Sequence, residues 1–190
     1  MPQTRRHLPH IYETGRPIFL TWRLHGTLPA HRAFSKESVT SGKAFAALDG
    51  QLDQTSTGPQ YLRDPEIANK VVEAIHYNGY RLGHYKLHAY VVMPNHVHLL
   101  ITPKVPLPKL TQSLKGITAK RANEVLGRTG QPFWQQETYD HLVRDGLEFN
   151  KIRAYIEQNP VKAGLAAETT EYPWSSKSAV SCYDKNSPQV

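Results

Sequence analysis

The chain has 190 residues, 39% of them hydrophobic and 21% charged, with a formal net charge of +7. That length suits one domain with a buried core. No run approaches the roughly 18 apolar residues of a membrane span, and the basic start MPQTRRHLPHIYETGR has no apolar segment behind it to form a secretory signal, so cytoplasmic residence is expected. A single cysteine, Cys182, excludes an internal disulfide, and the positive balance favours a polyanion such as nucleic acid without establishing one.

In chain order, RPIFLTWRLHGTLP begins with a β-branched and aromatic run and stops at Gly26 and Pro29, which predicts a strand over Pro17 to Leu24. Residues 30–61 hold Ser, Thr, Gly and Gln clusters with room for one short helix in SKESVTSGKAFAALDGQL. Asp64-Pro65-Glu66 reads as an N-cap, a first-turn proline and an acid at the positive end of the helix dipole. Ile67, Val71, Val72 and Ile75 then follow at helical spacing, giving a helix to about Tyr77. YRLGHYKLHAYVVM and HVHLLITP read as two strands hinged at Pro94-Asn95, paired as a hairpin. LPKLTQSLKGITAKRANEVLG places Leu110, Leu114, Ile117 and Val125 on one stripe and closes at Gly127, a second helix. A strand is expected near the end of GQPFWQQETYDHLVRD. GLEFNKIRAYIEQNP carries Phe149, Ile152 and Ile156 at helical spacing, and Pro160 is expected to end that helix. The order β-α-β-β-α-β-α suits a two-layer α+β domain, a mainly antiparallel sheet with helices on one face.

The third strand raises a chemical question. Positions i and i+2 of a strand point to one face about 6.5 to 7 Å apart, so His96 and His98 can aim at a single ion while Val97 packs behind. The same spacing serves two half-buried histidines bonded to their neighbours, and two imidazoles alone do not complete a metal site. Asn159 lies four residues after Tyr155, on the same helix side, and can offer an amide oxygen; an Asn before Pro160 is also ordinary helix punctuation. Tyr155 lies off the Phe149, Ile152, Ile156 stripe, free to project toward the sheet edge.

MPNHVHLLITP resembles the histidine-hydrophobic-histidine (HUH) motif of the single-tyrosine transposases of the IS200/IS605 type, the REP-associated tyrosine transposases among them. FWQQETYDHLVRD, AYIEQNPVKAGL, the early FLTWRLHGTLP and the late YPWSS resemble other segments of that family in the same order, over most of the chain. The resemblance implies a ferredoxin-like HUH domain over residues 1–165 and an accessory tail over 166–190. It also implies His96 and His98 as metal ligands, Asn159 as a third, and Tyr155 as a nucleophile that takes a DNA 5′ phosphate and frees a 3′ hydroxyl. The implied cofactor is Mg²⁺ or Mn²⁺; imidazole ligands by themselves lean to zinc or manganese. The implied substrate is single-stranded DNA with an imperfect hairpin, and the implied protein is a DNA-bound monomer, with a dimer exchanging the tyrosine helix as the alternative.

Contacts to DNA are read more weakly. Lys109 and Lys120 share one side of the second helix, Lys115 and Arg121 lie elsewhere on it, and Arg23 and Arg144 end strands; each suits a phosphate, as it suits a solvated surface. Trp134, beside two glutamines, can stack an unpaired base or pack in the core. Two other readings stay open: a regulator that binds DNA hairpins without cutting them, and a metal-dependent hydrolase of small phosphoesters.

Overall fold

The computed structural model describes residues 14–27, 50 and 58–178; Cys182 and the short helix expected in residues 35–52 fall outside the described residues, apart from helical Gly50. Among the described residues, and leaving Gly50 aside, four strands and three α-helices follow in the expected order. They are β1 (Ile18–Arg23), α1 (Pro65–His76), β2 (Tyr85–Val92), β3 (His96–Pro103), α2 (Leu107–Val125), β4 (Tyr139–Leu142) and α3 (Gly146–Lys162). The strands form one antiparallel sheet in the order β2-β3-β1-β4, the split β-α-β topology of a ferredoxin-like α+β fold.

Alternation decides which residues face which side. Ile18, Leu20 and Trp22 of β1, with Leu24 just after it, join Val97, Leu99 and Ile101 of β3 in a core covered by α1 and α2. Phe19 of β1 and Leu100 of β3 face the other way, with Ala89 and Val91 of β2, toward Phe149, Ile152, Tyr155 and Ile156 of α3. Helices therefore cover both faces. The two-layer arrangement holds for the sheet with α1 and α2, and α3 adds a third layer on the opposite side. An apolar stripe shows that a helix packs on the sheet without saying on which face.

Two boundaries also differ from expectation. The segment Tyr77–Arg81 continues from α1 as a π-helical turn, so β2 starts at Tyr85. The buried Asn78 holds it there: its Nδ2 donates to the Ala74 carbonyl (2.9 Å), and its Oδ1 accepts from Ser113 (2.8 Å) and meets His84 Nδ1 (3.1 Å). Pro160 lies inside α3 and does not end it. Its missing N–H forfeits one helical bond, but Pro160 is buried and the helix closes two residues later in a Schellman motif. There Gly164 takes φ +69°, Gly164 N–H donates to Val161 O (3.0 Å) and Leu165 N–H to Pro160 O (2.8 Å).

The segment after α3 returns along the free edge of β2. Val92 N–H donates to Trp174 O (2.9 Å), Ser176 N–H to Tyr90 O (2.9 Å) and Tyr172 Oη to Val92 O (2.8 Å), while Trp174 Nε1 reaches Asn69 on α1 (3.0 Å). Backbone groups that an edge strand would leave open are thus paired. Among the described residues no helix is long and apolar enough to cross a membrane.

Candidate functional site

The histidine pair sits on β3, a central strand buried on both faces, and both rings are 0% exposed. A polar ring so placed needs partners. His96 Nε2 and His98 Nε2 lie 3.1 Å apart. Each Nδ1 is held from behind: His96 Nδ1 by Asn95 Oδ1 at 2.6 Å, and His98 Nδ1 by Thr21 Oγ1 at 2.7 Å. Thr21 is there because β1 pairs with β3 in a register that sets Thr21 opposite His98.

The tyrosine comes to this pair from the opposite layer. The Tyr155 ring lies 5.7 Å from the His98 ring at 64° and 6.3 Å from Phe19, edge-on at 84°. Phe19 also touches His98, at 5.6 Å. Tyr155 is half-buried, and Lys162, seven residues on, places its Nζ 5.3 Å from the ring centroid. The start of α3 is fixed to β4. Asp145 caps it by accepting from Glu148 N–H (2.8 Å), and the Glu148 carboxylate accepts from Arg144 N–H (2.7 Å) and pairs with His141 on β4 (3.0 Å). Burial raises the Glu148 pKa, but those hydrogen bonds and the His141 and Arg144 charges outweigh it and hold the carboxylate ionised. Asn159 falls on the same side of α3 one turn after Tyr155 and is buried, 2% exposed. Because the helix runs on past Pro160, punctuation no longer accounts for it.

The donor set fits a divalent ion. Among the described residues no three His, Cys, Asp or Glu side chains converge; the buried Asn159 amide, on the helix that carries Tyr155, is a neutral oxygen donor that could join the two imidazoles. A 3.1 Å separation of the two Nε2 atoms also suits cis ligands on one ion with bonds of about 2.1 Å. So few protein ligands leave coordination positions for water or substrate oxygens.

The remaining site expectations divide. Arg23, beside His96 in the strand register, is 3% exposed; its Nη1 donates to Thr27 (3.2 Å), Nε has no hydrogen-bond partner among the described residues, and burial lowers its pKa against the opposing charge of Glu137. Lys115 is turned inward: its Nζ donates to the carbonyls of Gln135 (2.7 Å) and Gln136 (3.0 Å) and to Thr138 Oγ1 (3.1 Å), and burial lowers its pKa to about 8 against the pull of Glu137. Trp134 is a core residue, 8% exposed, donating Nε1–H to Thr118 (2.8 Å) and set edge-on to Trp22, so base stacking on it is closed off. Lys109, Lys120 and Arg121 lie on α2, across the sheet from the histidines, the last paired with Glu73 (3.6 Å); Arg144 is exposed beside Glu148. Thr21, Asn95, Phe19 and Lys162 were not singled out from the sequence. Asn95 adjoins His96 and Lys162 lies two turns from Tyr155, so sequence spacing alone places both near the site; Thr21 and Phe19 enter only through strand pairing.

A ferredoxin-like antiparallel sheet whose central strand presents a histidine pair to a tyrosine on a facing helix, all in one chain, is the class of protein these features define. Residues 60–159, more than half of the chain, match the family model described as "Transposase IS200 like". The chain belongs to that family. A REP-associated tyrosine transposase of Escherichia coli (strain K12) is 25% identical over 92 residues, 48% of this chain and 53% of that protein, so the chain spans about half the length of that curated relative. A solved REP-associated tyrosine transposase bound to a REP hairpin superposes with a TM-score of 0.55 at 17% identity, covering 88% of this chain and 80% of the other, a likeness that bears on the fold.

Proposed function

We propose that the protein is a metal-dependent endonuclease and strand transferase for single-stranded, hairpin-bearing DNA, with Tyr155 as nucleophile. The observation that carries the reading is the meeting of the Tyr155 ring with His98, 5.7 Å between centroids, on the face where His98 and His96 bring their Nε2 atoms together. In the step, Tyr155 Oη attacks the phosphorus in line, the P–O3′ bond breaks, the 3′ oxygen leaves and takes up a proton, and the phenol proton passes to a base. The phosphodiester energy is kept in the 5′-phosphotyrosine link, so attack by another 3′ hydroxyl rejoins strands without ATP. Mg²⁺ or Mn²⁺, held by His96, His98 and Asn159, would supply charge to the non-bridging phosphate oxygens.

The chain's own residues do the rest. Phe19 and His98 wall the tyrosine ring and limit its swing, which is the near-attack positioning such a step requires. Lys162 sets its ammonium against the ring face, a cation–π contact that further holds the ring in place. Arg23 stands at the end of the same sheet face with guanidinium hydrogens to offer a phosphate that enters the site. Single-stranded DNA suits the geometry because an unpaired backbone can bend into line where a duplex resists. Tyr155→Phe keeps the ring and should keep hairpin binding while ending cleavage; a variant that still cuts removes Tyr155 from the role. Hairpin binding with no cutting by the wild-type chain under any divalent metal would favour the non-cleaving regulator.

A further inference from the structure

The two groups behind the histidines differ in kind, and the difference has a consequence. Asn95 Oδ1 can only accept, so at 2.6 Å it requires the proton on His96 Nδ1 and leaves His96 Nε2 with a lone pair. His98 Nε2, 3.1 Å away, then carries the hydrogen that bonds the pair together, and His98 Nδ1 accepts from Thr21 Oγ1 at 2.7 Å. For His98 to turn a lone pair toward an ion, its proton has to leave Nε2 and one has to sit on Nδ1. A hydroxyl accommodates both forms by rotating its hydrogen: it donates to the bare Nδ1, and it accepts from Nδ1–H. An amide carbonyl or a charged partner at that place would lock one tautomer.

We infer that Thr21 and Asn95 are positioning residues for the divalent ion: Asn95 fixes His96 in the ligand tautomer, and Thr21 lets His98 change tautomer without moving its ring. The inference rests on the metal-site reading above. Thr21 is 1% exposed, Asn95 3%, and both histidines 0%, so water does not readily replace either partner. Loss of an outer partner of a ligating histidine typically weakens metal affinity 10- to 100-fold.

The test is a Mn²⁺ titration of the DNA-free protein, following free Mn²⁺ by electron paramagnetic resonance, for wild type, Thr21→Val, Thr21→Ser and Asn95→Asp. Thr21→Val keeps the shape and loses the hydroxyl; it should bind Mn²⁺ at least about tenfold more weakly. Thr21→Ser and Asn95→Asp keep the oxygens and should stay within about threefold of wild type, well inside that range. The imidazole ¹⁵N spectrum of the metal-free protein gives a second readout: His96 protonated on Nδ1 and His98 on Nε2, both unchanged in Thr21→Ser. Equal Mn²⁺ binding by wild type and Thr21→Val, or a metal-free His98 already protonated on Nδ1, overturns the inference and leaves the metal site standing. Wild type that binds no Mn²⁺ overturns the metal-site reading itself, and the inference with it.

Discussion

Replacing Lys115 by methionine separates two roles that a basic helix leaves confounded. If the lysine were a phosphate contact, removing it would flatten the salt dependence of DNA binding by about one counterion and leave stability alone. The structure uses its ammonium otherwise, bonding Gln135 O, Gln136 O and Thr138 Oγ1 at 2.7–3.1 Å and so fastening α2 to the segment before β4. Hydrogen bonds from a charged donor contribute about 1.5–3 kcal/mol each. Burial of the ammonium, which pulls its pKa from 10.5 down to about 8, offsets part of the sum, and water can reach the exposed Gln136. Methionine keeps the stem's packing, so the net loss should be about 2 kcal/mol, a Tm lower by roughly 4–8 °C for a domain of this size. The sign with pH follows from the same burial. Below pH 8 the lysine is protonated folded and unfolded alike. Between about 8 and 10.5 the unfolded chain holds a proton that the native chain has released, so this group's contribution rises with pH. The stability gap between wild type and Lys115→Met should therefore widen from pH 7.5 to 10 in denaturant titrations. An unchanged Tm together with a shallower salt slope for hairpin binding would refute the reasoning and return Lys115 to the DNA.

Trp134→Phe removes a buried Nε1–H bond to Thr118 and part of the contact with Trp22; it should lower stability by about 1–3 kcal/mol and leave hairpin affinity within error in a filter-binding assay. Asn159→Leu keeps the branched side-chain shape and a good helix former while removing the amide oxygen; it should weaken Mn²⁺ binding about tenfold while circular dichroism is unchanged, and equal Mn²⁺ affinity would strike Asn159 from the ligand set. Trp174→Ala loosens the segment that pairs with β2. The Val92 and Ser176 amide hydrogens, bonded across that edge, should then exchange faster than in wild type while those within β3 keep their protection.

What the sequence made legible was local. Helix starts could be read because caps are written in a few adjacent residues: Asp64 accepts from Glu66 N–H as expected of that triplet. The element order followed from periodicity, and His96 and His98 share a face because strand alternation requires it. Features set by partners distant in sequence were hidden. The placement of α3 on the far face follows from connection and packing; the stripe of Phe149, Ile152 and Ile156 does not record it. Thr21 becomes a partner of His98 only through the register of β1 on β3, 77 positions away. The inward turn of Lys115 depends on where residues 135–138 run, and the π-helical turn at Tyr77–Arg81 depends on Asn78 finding Ser113 on another helix. The Asn-Pro pair misled in the opposite direction: a strong local stop signal yielded to a buried proline and a helix end two residues later.

The central claim is that Tyr155 attacks the DNA while His96 and His98 serve its metal. Its most direct measurement combines the protein with labelled single-stranded hairpin DNA and Mn²⁺, denatures the mixture, digests it and maps any covalent adduct by mass spectrometry. The account predicts a single nucleotide-bearing peptide containing Tyr155, metal-dependent and absent from His96→Ala and His98→Ala. An adduct on another tyrosine, or cleavage with no protein-linked DNA, would contradict it.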